Sequence, residues 1–171
     1  ERRIAELEAA RQISPLPPVV VGGALIVPAG LLAKEAAPDG LPRDPAERRR
    51  VELLAMEAVM AAERRLGHEP VDVSSQNLGY DIESREPESG KLRFIEVKGR
   101  AAGAESGMVT RNEANTGRNK RDSFILAVVE VNGTAGEPRY FRDIFTKDLD
   151  FGVSKLEINL RDIGPLGRPP S

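Results

Sequence analysis

The chain has 171 residues and a formal net charge of −2, room for one domain plus extensions. It has no cysteine and one histidine, His68, which excludes disulfides, thiolate catalysis, cysteine-zinc sites and multi-histidine metal centres. Any metal must then be held by carboxylates, which favours a hard ion such as Mg2+ or Mn2+. With 40% hydrophobic and 30% charged residues, a soluble globular protein is expected rather than a disordered tail. The apolar stretch Val19–Val27 is too short to cross a bilayer, so no membrane partner is expected. The chain opens at Glu1 with neither methionine nor signal peptide, as expected of a piece of a larger protein.

Residues 1–43 read as an N-terminal extension: a short helix over Arg2–Gln12, a proline-rich linker, then an apolar strand or hairpin at Val19–Val27. The main domain is expected over 44–160. It opens with a long helix, capped by Asp44, with Pro45 at the first position and Glu47 three after the cap. Val51, Leu54, Ala55, Ala58, Val59, Ala62 and Leu66 form one apolar face, and Gly67 is a natural stop. Arg48, Arg49 and Arg50 crowd its start, where the helix dipole repels cations. Nearby glutamates can offset this, or the arginines can face a phosphate. His68, in the turn that follows, is expected at the surface.

Strands are expected at Val71–Ser75, Tyr80–Arg85 and Leu92–Val97, with a weaker one at Met108–Thr110. Thr110 and Glu113 make a capping box for a short helix that Gly117 should end. Phe124–Val129 is a continuous apolar run, as in a strand covered on both faces. Arg139–Phe145 alternates like an edge strand, and residues 161–171 read as a flexible tail.

The chemistry concentrates in Gly79-Tyr80-Asp81-Ile82 and Phe94-Ile95-Glu96-Val97-Lys98-Gly99-Arg100. Alternation along a strand puts Glu96 and Lys98 on one face. If Pro87–Gly90 form a four-residue hairpin loop, Glu86 pairs with Lys91, Ile82 faces Ile95 and Asp81 faces Glu96. Opposed carboxylates are destabilising and worse when partly buried, so something positive should lie between them. Lys98 supplies one charge, and a divalent metal held by Asp81 and Glu96 would supply two. Such a site suits phosphodiester hydrolysis, with Lys98 orienting water or stabilising charge on the phosphorus oxygens. Between Lys91 and Arg121, eight basic residues face three glutamates, a local excess suited to nucleic acid.

These blocks, with Thr110-Arg111-Asn112-Glu113 ahead of an apolar strand, resemble the NO VEIN C-terminal domain family over roughly Glu52–Val131. The resemblance implies a PD-(D/E)XK nuclease-like fold: a restriction-endonuclease-like α/β core with a mixed central sheet flanked by helices. It implies Asp81 and Glu96 as metal ligands, Lys98 as catalytic lysine, and Glu52 as a further acidic residue from the first helix. It implies a cytoplasmic, Mg2+-dependent endonuclease acting on DNA, attached to a helicase-type ATPase parent. Arg100, Arg111, Asn112, Arg118 and Lys120 are the candidate nucleic-acid contacts. The alternative is a catalytically silent nucleic-acid-binding or protein-docking module with the same fold.

Overall fold

The computed structural model describes residues 41–42, 44–146 and 154–171, so the expected N-terminal helix, linker and apolar hairpin lie outside the described residues. Helix α1 (Pro45–Arg65) begins where expected. The Asp44 side chain accepts from the Ala46 N–H at 3.2 Å and Pro45 occupies the first turn. Glu47 does not close a capping box; it pairs with Arg50 at 2.8 Å. Gly67, at φ +82°, ends the helix. Its N–H bonds the Arg64 carbonyl at 3.0 Å and the His68 N–H bonds the Glu63 carbonyl at 3.0 Å. These two bonds satisfy carbonyls that the helix end would otherwise orphan.

The strands that follow are β1 (Glu69–Asp72), β2 (Ile82–Arg85), β3 (Leu92–Ala101) and β4 (Ser106–Thr110). After helix α2 (Arg111–Asn119) come β5 (Phe124–Asn132), β6 (Thr134–Ala135) and β7 (Arg139–Phe141), then β8 (Lys155–Asn159) and the single-turn α3 (Leu160–Ile163). The central sheet is mixed. β1, β2 and β3 are antiparallel neighbours, β5 runs parallel to β3, and β6 and β7 both pair antiparallel with β5. β4 and β8 form a separate antiparallel pair. The molecule is thus a mixed α/β fold, a mixed central sheet flanked by helices, as the family resemblance implies.

The expected hairpin register holds. Ile82 lies opposite Ile95, and the Glu86 N–H bonds the Lys91 carbonyl at 2.9 Å. One sheet face, carrying Ile82, Ile95, Ile125, Ala127 and Val129, packs on Val51, Ala55 and Val59 of α1. The other gathers Val73, Tyr80, Phe124, Leu126, Val128 and Phe141. β5 serves both cores, which is why it reads as an unbroken apolar run.

Several expectations need correction. β3 does not stop at Val97 but continues to Ala101, with Gly99 inside it. A Cβ on Gly99 would lie 2.8 Å from the Val51 carbonyl oxygen and 2.9 Å from the Ala55 Cβ, so glycine there lets α1 sit on the sheet. Gly117 does not end α2, which runs on to Asn119. It is buried against the Phe124 and Phe145 rings, where a Cβ would collide. The strand expected at Val71–Ser75 lies earlier, at Glu69–Asp72, with a 3-10 turn over Ser74–Gln76. The edge strand stops at Phe141 rather than Phe145. Arg168, in the C-terminal stretch, exchanges two backbone bonds of 2.8 and 2.9 Å with Tyr140.

His68 is not a surface residue. Its side chain is 8% exposed and its Nδ1 lies 2.9 Å from Glu63 Oε2. Glu63 is itself fully buried and accepts from Ser84 Oγ at 2.7 Å, Tyr140 OH at 2.8 Å and Arg93 Nη1 at 3.3 Å. Burial pushes its carboxyl up, but the Ser84, His68 and Tyr140 bonds and the Arg93 charge outweigh this and hold it below the usual range. Among the described residues, no helix is long and apolar enough to cross a membrane.

Candidate active site

Asp81 sits immediately before β2. Its N–H bonds the Ile95 carbonyl at 2.9 Å, and its Oδ2 accepts from the Val97 N–H at 2.9 Å. These bonds carry the antiparallel register one step beyond Ile82 and Ile95, to the level of Glu96. Gly79 makes this approach possible. At φ +84° it turns the chain so closely over α2 that a Cβ would lie 2.4 Å from Thr116 Oγ1. Glu96 and Lys98 share the face of β3 turned away from α1, and Lys98 Nζ lies 2.6 Å from Glu96 Oε1.

A third carboxylate joins them. Glu113, in the first turn of α2, closes the expected capping box: its Oε2 accepts from the Thr110 N–H at 3.1 Å. The same oxygen lies 2.9 Å from Lys98 Nζ. Capping accounts for Glu113 in the sequence, and that sufficient explanation concealed its second role. Lys98 is therefore held between two carboxylates, on a strand and on a helix.

The electrostatics follow from burial. Glu96 is 4% exposed, and burial pushes its carboxyl up to about 8, opposed by Lys98 and reinforced by Asp81 and Glu113. Burial also raises Asp81, against the Val97 N–H and Lys98. Burial works against the Lys98 charge too, yet Glu96 and Glu113 outweigh it and hold its pKa above the ordinary lysine range. The shifts on Lys98 and Glu96 pull apart, because the first draws on an ionised Glu96 while the second marks a carboxyl mostly protonated at neutral pH. Glu113 reconciles them. Lys98 and the Thr110 bonds overcome burial and hold Glu113 below the usual range, so it stays ionised and keeps Lys98 charged whichever form Glu96 takes.

Two cavities meet at Asp81. One, of about 320 Å3, lies between α1 and the cluster and is lined by Glu52, Asp81 and Lys98 among others. The second, of about 180 Å3, is lined by Asp81, Glu96, Asn112 and Glu113. Glu52 is exposed on α1 and reaches the first cavity rather than the carboxylate–lysine pair itself. Of the expected nucleic-acid contacts, Arg100 is not displayed to solvent. It is 2% exposed and its guanidinium lies over Gly107, where a Cβ would overlap Nη2. Arg111 is half-buried and its N–H bonds the Ser154 carbonyl at 2.9 Å. Asn112 is exposed, donating to the Asn77 carbonyl at 3.3 Å, and Arg118 is half-buried near the groove of Ile144 and Phe145. Lys120 is exposed and rests over the Phe94 ring at 3.9 Å.

Among the described residues, no group of three or more His, Asp or Glu side chains is arranged to hold a metal. Asp81 and Glu96 nevertheless offer an all-oxygen donor pair of the kind hard divalent ions take. A buried carboxyl raised to about 8, beside a second raised carboxyl, is short of positive charge, and a divalent ion would relieve both shifts. The donor chemistry fits such an ion.

No curated protein and no solved structure matches the chain significantly. A sequence model described as protein NO VEIN, C-terminal, matches residues 51–141, a span from α1 to the end of β7 that contains the whole carboxylate–lysine cluster. With more than half its length matched, the chain belongs to the NO VEIN C-terminal family.

Proposed function

We propose that this domain is a metal-dependent nuclease of the PD-(D/E)XK type, hydrolysing DNA phosphodiester bonds in the cytoplasm as part of a larger helicase or DNA-processing protein. The observation that carries the reading is the constellation of buried Glu96 with half-buried Asp81 and Lys98, Asp81 immediately before β2 and the other two on β3, with Lys98 Nζ 2.6 Å from Glu96. A fold alone needs no such arrangement, since burying acidic groups together is costly. Asp81 and Glu96 would hold Mg2+ or Mn2+, which supplies Lewis-acid polarisation of the phosphate and acidifies water. Asp81 is oriented for this by the Val97 N–H, which fixes Oδ2 and leaves Oδ1 to a ligand. Lys98, kept charged by Glu113, would place a fixed positive charge beside phosphorus oxygens as their negative charge grows. An ammonium serves as a compact point charge where a planar guanidinium would demand a fork of acceptors. Glu52 would help from the cavity wall.

A second reading, a catalytically silent nucleic-acid-binding or docking module, is favoured by one observation: Lys98 is already engaged by two carboxylates. Two measurements decide. Calorimetry with Mg2+ or Mn2+ should give binding that Asp81→Ala and Glu96→Ala abolish. A plasmid-nicking assay should show cleavage lost in Lys98→Ala. Absence of metal binding, or equal nicking by wild type and Lys98→Ala, removes the nuclease reading.

A further inference from the structure

The cavity beside the carboxylate–lysine cluster extends beyond what the cluster itself requires. Its volume of about 320 Å3 is that of a small ligand site rather than an ion site. Its lining divides by chemistry. Asp81 and Lys98 lie on the sheet side, while Leu53 and Met56 of α1 and Met108 of β4 supply an apolar wall. Leu53 is 54% exposed, an apolar side chain left uncovered beside a charged site.

Arg49 also lines the cavity, as do the acidic Glu52 and Asp72. Of the three consecutive arginines on α1, Arg48 bonds the Pro42 carbonyl at 3.4 Å, and Arg50 bonds both Glu47 at 2.8 Å and the Gly133 carbonyl at 2.7 Å. Arg49 is exposed, lines the cavity, and makes no hydrogen bond or ion pair with any described residue. It lies near a helix start, where the helix dipole disfavours a cation. It matches the planar, bidentate recognition of a phosphate.

We infer that this cavity takes one unpaired nucleotide adjoining the scissile phosphate, so that the substrate class is single-stranded or frayed DNA. This rests on the nuclease reading above. Arg49 holds the neighbouring phosphate, and Leu53, Met56 and Met108 take the face of the base. A base inside a duplex cannot do this, because stacked neighbours cover both its faces and its partner covers its edge. Unstacked bases offer a flat apolar surface that side chains accept without regard to sequence.

The test is fluorescence anisotropy on the full chain, using one labelled oligonucleotide either single-stranded or annealed to its complement, with Ca2+ replacing Mg2+. The single strand should bind about tenfold or more tightly than the duplex. Arg49→Gln and Leu53→Asn, both at exposed positions, should each weaken single-strand binding about tenfold and weaken duplex binding much less. Equal affinity for the two forms, or variants that bind the single strand like wild type, overturns the inference. Cleavage of the same labelled single strand with Mg2+ by wild type and Lys98→Ala separates the two claims. Loss of cleavage in that variant together with equal binding of both DNA forms defeats the unpaired-nucleotide site alone. Single-strand preference with Lys98→Ala still cutting leaves the nucleotide site standing and defeats the nuclease.

Discussion

Replacing Glu96 by Gln should change how stability depends on pH. In the folded chain burial lifts the Glu96 carboxyl from its ordinary 4.5 to about 8. Between those values the native state keeps a proton that the unfolded chain has released, so stability falls as pH climbs from about 4.5 and levels off above about 8. At 1.36 kcal/mol per pH unit, the whole span corresponds to roughly 5 kcal/mol. Asp81, also raised, adds to the fall from lower pH. Lys98, raised, contributes stability that is lost only above the ordinary lysine value, outside the window. Glu113 and Glu63, both lowered, contribute stability that is lost only as pH drops below 4.5. Glutamine keeps the shape of Glu96 and an acceptor for Lys98 but has no proton to lose. Urea unfolding between pH 5 and 9 without divalent ions should therefore show a steep fall for wild type and a flatter curve for Glu96→Gln. The variant should be the more stable above pH 8. Parallel curves for the two proteins would refute the assignment of a buried, proton-binding carboxyl at this position.

Gly99→Ala should lower stability by about 1–3 kcal/mol, because its Cβ would press on the Val51 carbonyl and Ala55; an unchanged urea midpoint would mean that α1 can move away at no cost. Glu63→Ala should cost about 3–5 kcal/mol, since it leaves Arg93, Tyr140 and Ser84 facing an empty buried position. Chemical denaturation measures it, and a loss below about 1 kcal/mol would show that the network can find other acceptors. Glu113→Gln should bring the Lys98 pKa down toward the ordinary lysine range, observable by NMR titration of the lysine side chain; no movement would assign its elevation to Glu96 alone. In the same variant the α2 cap should survive, because glutamine also serves at that position of a capping box.

The long helix and the hairpin register were legible because local chemistry determines both. Asp44, Pro45 and Gly67 mark the helix without reference to the rest of the fold. The turn from Glu86 to Lys91 sets the strand offset in the same way. What was not legible depends on distant partners. Gly117 reads as a stop and the strand reads as ending before Gly99, yet each glycine lies inside an element because another element comes within contact distance. His68 reads as a surface residue because nothing nearby in sequence announces a buried acceptor, and Glu63, on the edge of the apolar stripe of α1, looks like one more solvated glutamate. β8 carries a period-2 signal in Leu156 and Ile158, but five residues with two apolar positions are too few to separate from a loop.

The candidate site divides along the same line. Asp81, Glu96 and Lys98 could be brought together on paper, since one hairpin register relates them. Glu113 could not, because its approach to Lys98 depends on where α2 packs over the end of the sheet. Its presence sharpens the charge argument. Three carboxylates against one ammonium leave a net −2 when all are ionised, a deficit that adds to burial, the main cause of the raised Glu96 carboxyl. One divalent cation carries the charge that deficit needs. The proposed Mg2+ would compete with the proton on Glu96, so Glu96→Gln should flatten the pH profile and weaken metal binding together. A variant that did only one of these would separate the buried acid from the proposed metal site.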